Sequence, residues 1–448
     1  MNIVVFGLGE VGKHIASVLS KEDHNVTVVD ADPEIIASVS DRLDVRAIAG
    51  QGGSIKIMNK TDIMNTDLVI AVTSIDEVNI LTSLIAKNMG AKKVIARVDS
   101  REYLPDSQGS YQGLFGIDLV ISPEILSAIE ISKLIGYLGA TFITEFADGR
   151  VELMQITQKM MPGVTGVPLK NLETPDDMLV TGVIRDKKLI IPSGDTVLEE
   201  GDKVFVIGKR DAIEDGAEFF GAMTNEGAEK VVLLGGGEIG FAVAKLLEGT
   251  NISVVLIEWK KSRCEFLSEQ LNEALIINGD GTDIELLKQE QVRDADVFVA
   301  ASKRDEVNLM SGLLAKELGC KKTIAIVHRP DYLPVYEHLG LDATISPRRF
   351  AADKILKYVR SGEVVSVFDI DLGKGEILEF EAQAGSKIVG TTLKDLPIPK
   401  GTIIGALARE DEVIIPTGND EVKAGDKVIV FTTPGVRPKV ENLFRINE

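Results

Sequence analysis

Cysteine is nearly absent: only Cys264 and Cys320 occur in 448 residues, the first in or near a helix and the second just before a strand. A disulfide framework is thereby excluded, and a reducing cytosol fits. Long apolar runs are missing as well. No stretch approaches the roughly 18 consecutive apolar residues of a membrane span, although a hydrophobic content of 44% allows a sizeable core. The chain enters a strand at once, with no basic segment or small-residue cleavage site, so no signal peptide is expected. Positive charge is in deficit, 49 Lys and Arg against 69 Asp and Glu, a formal net charge of -20. Such a field repels phosphate backbones and anionic lipid, which argues against nucleic acid and direct lipid insertion and leaves solubility as its plainest consequence. Histidine is scarce too. His14, His24, His328 and His338 form no constellation with Lys and Asp, so neither a catalytic residue nor a metal ligand is assigned.

What is present begins with Asn2 to Asp30. It reads as a strand (Ile3 to Phe6), a glycine turn, a helix and a second strand (Val26 to Val29) closed by an acid. Gly7, Gly9 and Gly12 match G-x-G-x-x-G: the first permits a tight turn, the second lets a pyrophosphate approach the backbone, and the third lets helix pack on strand. Glu10 and Val11 lie between them and open the helix, where backbone N–H groups attract anions. Asp30 falls about 20 residues on, where a carboxylate accepts hydrogen bonds from a ribose diol. The competing reading is an αβ turn that uses glycine for packing only.

The construction occurs twice. Val231 to Glu258 repeats it, with Gly235, Gly237 and Gly240 as the triplet, Glu238 and Ile239 at the helix start, and Glu258 as the terminal acid. The echo continues at an offset of about 229 residues, later about 224, which marks an internal duplication. Asp76-Glu77-Val78-Asn79 recurs as Asp305-Glu306-Val307-Asn308, Tyr103-Leu104-Pro105 as Tyr332-Leu333-Pro334, and Ser122-Pro123 as Ser346-Pro347. Ile191-Pro192 and Gly201-Asp202-Lys203-Val204 return as Ile415-Pro416 and Gly425-Asp426-Lys427-Val428. Four domains follow, two per half, at 1–138, 139–222, 228–358 and 359–448, with 219–229 as the likeliest connector.

Within each half, apolar strands such as Asp67 to Val72 suit a parallel sheet buried on both faces. Ligands in such sheets sit beyond the carboxyl ends of the strands, which places Thr73, Asp76, Glu77 and Asn79 toward a cleft. Glu77 and Asn79 serve equally well as caps for the following helix. Arg97, inside a strand, either reaches a phosphate or acid in the cleft or pairs with an acid of another domain; its counterpart is Ile326. After the third strands the halves differ chemically. Asp280 and Thr282 can bind an adenine edge or order their loop, where the first half has Gln51 and Gly53. The helix from Glu124 to Tyr137 is apolar over more than one face, which suits either a dimer contact or packing of the connector. Beyond Val151 short strands prevail, with hairpins at Arg185 to Lys188 and Arg409 to Glu412 and short helices expected at Val167 to Leu172 and Thr391 to Leu396.

Taken together these motifs resemble the tandem RCK (KTN) family, and most of all the cytosolic regulatory subunits of bacterial Trk-type potassium uptake systems. The resemblance spans all four domains. It implies an α/β chain of two Rossmann-like doubly wound parallel sheets, each followed by a small α+β module, without enzymatic turnover. It further implies a peripheral protein on the cytosolic membrane face, bound to an integral potassium-translocating subunit and assembled as a homotetramer. NAD(H), or ATP or ADP, would occupy two pockets: Gly7, Gly9, Gly12, Asp30 and Thr73 line the first, and Gly235, Gly237, Gly240, Glu258, Asp280 and Thr282 the second. Carboxylates at Asp30 and Glu258 favour a free ribose over the 2'-phosphate of NADP, though Lys260 and Lys261 blur the second site. The alternative is an NAD-dependent oxidoreductase, which the same turn also serves.

Overall fold

The computed structural model describes residues 1–22, 24–104, 111–221, 227–359, 364–370, 374–433 and 435–446. In the first half, strands β1 (Asn2–Phe6), β2 (Asn25–Asp30), β3 (Arg46–Ala49), β4 (Leu68–Ala71), β5 (Lys93–Arg97) and β6 (Leu119–Ile121) form the sheet. Helices α1 (Glu10–Leu19), α2 (Pro33–Ser40), α3 (Ile55–Lys60), α4 (Asp76–Asn88), α5 (Tyr111–Phe115) and α6 (Pro123–Gly136) follow them in turn. A small module comes next, made of β7 (Ala140–Phe146), β8 (Val151–Thr157), β9 (Met178–Arg185), β10 (Lys188–Ile190), β11 (Lys203–Lys209) and α7 (Arg210–Phe219).

The second half repeats the order. Its sheet comprises β12 (Lys230–Leu234), β13 (Ser253–Glu258), β14 (Leu275–Asn278), β15 (Val297–Ala300), β16 (Lys322–Ile326) and β17 (Ala343–Ile345). The helices are α8 (Glu238–Leu247), α9 (Lys261–Gln270), α10 (Ile284–Gln289), α11 (Asp305–Leu318), α12 (Leu333–His338) and α13 (Pro347–Val359). The last module holds β18 (Val364–Ile370), β19 (Gly375–Glu381), β20 (Thr402–Arg409), β21 (Glu412–Ile414), β22 (Lys427–Thr432) and α14 (Arg437–Phe444).

Both large sheets are parallel and share one order, β3-β2-β1-β4-β5-β6 and β14-β13-β12-β15-β16-β17. Strand order reverses beside β1 and β12, the switch point at which a doubly wound sheet opens a crevice. The continuous apolar runs account for this: Leu68–Ala71 and Val297–Ala300 are buried at every position, as strands covered by helices on both faces must be. The small modules are antiparallel sheets, β10-β9-β11-β8-β7 and β18-β19-β22-β20-β21. Both expected hairpins form, with Asp186 and Lys187 at φ 51° and 62° in the first turn and Glu410 at φ 45° in the second.

Two expectations in the modules are corrected. Val167 to Leu172 gives only a single 3-10 turn at Leu169–Asn171, and Thr391 to Leu396 forms no helix. The backbone N–H groups of Leu393 and Lys394 donate to Asp420 O and Gly418 O at 2.9 Å each, so a neighbouring loop takes the bonds that a helix would need. Of the connector, 222–226 lies outside the described residues, and Phe219 closes α7. Pro105 of the Tyr-Leu-Pro motif also lies outside them. Cys264 sits in α9 and Cys320 just before β16, both buried and unbridged.

The halves share their cores. Helix α6 crosses to the second half and packs on α8, while α13 packs on α1 of the first, and α6 and α13 meet each other. Ala351, Ala352, Ile355, Leu356 and Val359 of α13 join the core of the first sheet. The small modules meet face to face through Phe205, Ile207, Ala406 and Phe431. The broad apolar surface of α6 is thus a contact between the halves of one chain.

Candidate functional site

At each switch point the chain leaves the first strand through a glycine turn. Gly7 sits at φ 94°, and a Cβ there would lie 2.6 Å from Thr73 N. At Gly12 a Cβ would lie 1.9 Å from Gly7 O, so the protein's own packing forbids a side chain at either position. Gly9 differs: a Cβ there meets nothing within 4 Å. The second copy repeats this, with Gly235 at φ 98° against Ala301, Gly240 1.9 Å from Gly235 O, and Gly237 facing open space. The open glycine is therefore the one that a ligand would approach.

Gly9 and Gly237 are the N-caps of α1 and α8, and neither supplies a side-chain cap. The first turn-closing bonds are Lys13 N to Gly9 O and Phe241 N to Gly237 O, 2.9 Å each. The N–H groups of Glu10, Val11 and Gly12, and of Glu238, Ile239 and Gly240, precede that ladder and face the crevice, where the helix dipole adds positive potential. A helix N-terminus of this kind is where an anion would be held.

The acids close each turn from the side. Asp30 accepts from Leu8 N at 2.6 Å and Asp32 N at 2.9 Å; Glu258 accepts from Gly236 N and Lys260 N at 2.8 Å each. Two of the four lone-pair positions of each carboxylate remain for a ligand. Glu258 is buried and Asp30 half-buried.

Beyond the fourth strand the structure corrects the expected placement of Asn79. Its Oδ1 accepts from Thr73 N (2.8 Å) and Thr73 Oγ1 (2.7 Å), and its Nδ2 donates to Thr73 O (2.9 Å) and Arg97 O (3.0 Å). Fully buried and fully bonded, Asn79 clamps the loop from behind and is not presented to the cleft. Thr73 stands on the cleft side of that clamp. Glu77 is exposed and accepts from Tyr103 Oη at 3.1 Å, which raises the Tyr103 pKa. Asp76 receives the N–H groups of Asp99 and Ser100 at 2.8 to 3.0 Å. Arg97 pairs with Asp99 of its own lobe at 2.8 Å, so the cross-domain alternative is set aside. Beside this pair, burial and the Asp99 charge push Glu124 up to about 7.

The second cleft carries a different charge pattern. Ile326, His328 and Arg348 occupy the positions of Arg97, Asp99 and Glu124. Asp280 orders its own loop by accepting from Thr282 N (2.9 Å) and Thr282 Oγ1 (2.8 Å), bonds that lower its pKa. Arg263 lies against the glycine turn, its Nε donating to Gly236 O at 2.6 Å. Sequence reasoning noted Asn308 only as the repeat of Asn79 and missed Ser302; together they reproduce the Thr73 and Asn79 clamp bond for bond. The repeat offset already pointed to them. It missed Trp259 as well, the sole tryptophan, 71% exposed directly after Glu258.

Two parallel sheets, each with a glycine turn, an uncapped helix N-terminus and a turn-closing carboxylate at its switch point, define a tandem Rossmann-like architecture. The TrkA-N domain family matches residues 3–123 and 231–347, and the TrkA-C domain family matches 153–221 and 377–445. The chain belongs to the TrkA family. Trk system potassium uptake protein TrkA homolog 1 of Methanosarcina mazei is 37% identical, over 99% of this chain and all of its own. Trk system potassium uptake protein TrkA of Halomonas elongata is 34% identical, over 100% of this chain and 99% of its own. Among solved structures the GsuK channel superposes with a TM-score of 0.63 at 18% identity, covering 98% of this chain and 78% of that one. The GsuK channel bound to NAD gives 0.62 at 17%, covering 99% and 78%.

Proposed function

We propose that this chain is the nucleotide-binding regulatory subunit of a Trk-type potassium uptake system, and that it binds NAD(H), or ATP or ADP, without consuming it. The carrying observation is the pair of glycine turns, each kept clear of side chains at its second glycine and each aimed by an uncapped helix. The names of the full-length relatives support the potassium system, and the titles of the GsuK structures, one bound to NAD and one to ADP, support the nucleotides. In this reading Gly7, Gly9, Glu10, Val11, Gly12, Asp30 and Thr73 hold the first nucleotide. Gly235, Gly237, Glu238, Ile239, Gly240 and Glu258 hold the second, with Asp280 and Thr282 shaping its loop. Glu77 and Arg97 stand at the rim of the first cleft, Arg97 oriented by Asp99.

The four domains take the bounds 1–138, 139–222, 228–358 and 359–448. Among the described residues no helix is long and apolar enough to cross a membrane. In this reading, which the names of the full-length relatives support, the chain meets the membrane through an integral potassium-translocating partner on the cytosolic face. Four copies form the regulatory assembly. Nucleotide binding shifts the angle between lobes only to the extent that it prefers one shape of the assembly.

Trp259 offers a direct test. Next in sequence to Glu258, it should report by its emission a ligand entering the second cleft, whereas calorimetry counts both clefts. NADH, ATP and ADP are titrated separately; the expected result is saturable binding with a Trp259 response, at unchanged nucleotide absorbance. Absence of affinity for all three overturns the reading. Steady loss of NADH absorbance with a small carbonyl compound would instead favour an oxidoreductase.

A further inference from the structure

Away from both glycine turns, a cavity of about 380 Å³ lies between the first small module and the second large lobe. Its floor is the end of β17 and the start of α13; its roof is β7, β8 and β11. In a chain of net charge -20 its lining is weighted toward cations: Lys159, Lys203, Lys321, Lys322 and Arg349 against Asp342 and Asp353. Arg349 lies 3.9 Å from Asp353, and Lys321 pairs with Asp296 at 2.7 Å.

The duplication supplies an internal control. Thr344, Arg349, Phe350 and Asp353 correspond to Val120, Ile125, Leu126 and Ile129 of the first half. Ile125 and Leu126 pack there as ordinary apolar residues, so the fold at this junction does not require polar ones. On the roof, Gln155, Thr157 and Lys159 correspond to Glu379, Glu381 and Gln383. Lys203, Lys321 and Lys322 keep lysine counterparts in Lys427, Lys92 and Lys93, so the cationic excess of this junction comes from Lys159 and Arg349 and from Gln155 and Thr157 standing where the other half has Glu379 and Glu381.

Two buried groups point to what the cavity receives. Ser122, which opens α6, accepts from Ile125 N at 3.3 Å, but its counterpart Ser346, which opens α13 and lines the cavity, is 3% exposed with an unpartnered Oγ. A buried hydroxyl left without a partner costs free energy that a ligand atom would recover. Lys322 donates to Leu134 O and Tyr137 O at 2.6 and 2.8 Å, closing the end of α6, and burial pushes its pKa down to about 7. An arriving anion would hold that ammonium in its charged form. Phe142 and Phe350 add flat apolar walls suited to a ring.

We propose that this cavity binds a small organic phosphate of mononucleotide size, with the phosphate held by Ser346, Arg349 and the first turn of α13 and the ring held between Phe142 and Phe350. The site is separate from both glycine turns.

The probe is AMP, measured by calorimetry on the full chain carrying Gly9→Asp and Gly237→Asp, which place carboxylates in both cradles. One AMP per chain should remain bound. Adding Arg349→Ile, the residue used by the other half, should weaken it about tenfold or more, as loss of a charged hydrogen bond does. Arg349→Ile alone should leave NADH binding by the unaltered cradles unchanged, which separates this site from the function proposed above. No residual AMP binding in the double variant, or residual binding indifferent to Arg349→Ile, overturns the proposal. Should any variant fail to fold by circular dichroism, the unaltered chain decides: AMP must protect Lys159 and Lys203 from acetylation, and lack of protection overturns it.

Discussion

Asn79 and Asn308 have every polar position of their side chains occupied: two acceptor sites and two N–H donors, all bonded within the loop after the fourth strand and to the fifth. Asn79→Ala removes four bonds at a buried site and should cost roughly 2 to 4 kcal/mol in denaturant unfolding. The glycines separate packing from binding at the same scale. Gly12→Ala forces a Cβ onto Gly7 O and should destabilise the first lobe by more than about 2 kcal/mol. Gly9→Ala, in open space at φ -64°, should leave the melting temperature nearly unchanged and weaken nucleotide binding in calorimetry. Equal effects of the two substitutions would remove the distinction between structural and ligand-facing glycine. The triplet was legible in the sequence because its spacing is local. The fate of Asn79 was not, since a polar residue after a strand reads alike whether it faces the cleft or the loop behind it.

At the level of elements, α6 and α13 are the members that bind the halves together. Glu130 lies on α6 where α13 has Lys354, and burial pushes its pKa up to about 7, opposed by Lys133 and reinforced by Glu145. With the folded value above the ordinary 4.5, the folded state holds the extra proton between about 4.5 and 7. The Glu130 contribution is therefore complete at low pH and is lost as pH rises through about 7. Glu130→Gln should stabilise the protein at pH 8 by roughly 2 kcal/mol and do little at pH 4.5, read as paired denaturant curves. A gain of the same size at both pH values would show that the carboxyl is not desolvated as its burial indicates. The helical periodicity of α6 was readable, as was its excess of apolar faces. Which surface it covers was left open between a dimer and the connector, because the partner helix α8 begins more than a hundred residues later.

For the whole molecule, the duplication yields a pseudo-symmetric pair inside one chain. Cores shared by α13 with the first sheet, by α6 with the second, and by the two small modules leave neither half with a complete interior. Residues 1–221 expressed alone would expose the α6 face and the inner face of the first module, apolar areas that a soluble monomer does not leave open. That fragment should dimerise through these faces, doubling its mass in light scattering, and Leu134→Glu on α6 should abolish the dimer. A stable monomer would mean that the merged cores add little to folding. The two copies have also diverged: the second lobe has Ile326, His328 and Arg348 where the first has Arg97, Asp99 and Glu124, so the two clefts should titrate with different affinities. Identical isotherms for Gly9→Asp and Gly237→Asp variants would count against that.

The order of residues alone determined the parallel sheets, both glycine turns, the acids beyond the second strands and the fact of duplication. Each of these rests on spacing over a few to some twenty residues, where sterics and hydrophobic periodicity act within one stretch of chain. Only the tertiary structure decided that each crossing helix completes the other half's core, that Lys322 closes the end of α6, and that Lys159, Ser346 and Arg349 line one cavity. Those features join segments far apart in the chain, and what brings them together is burial of apolar faces that carry no address for their partner.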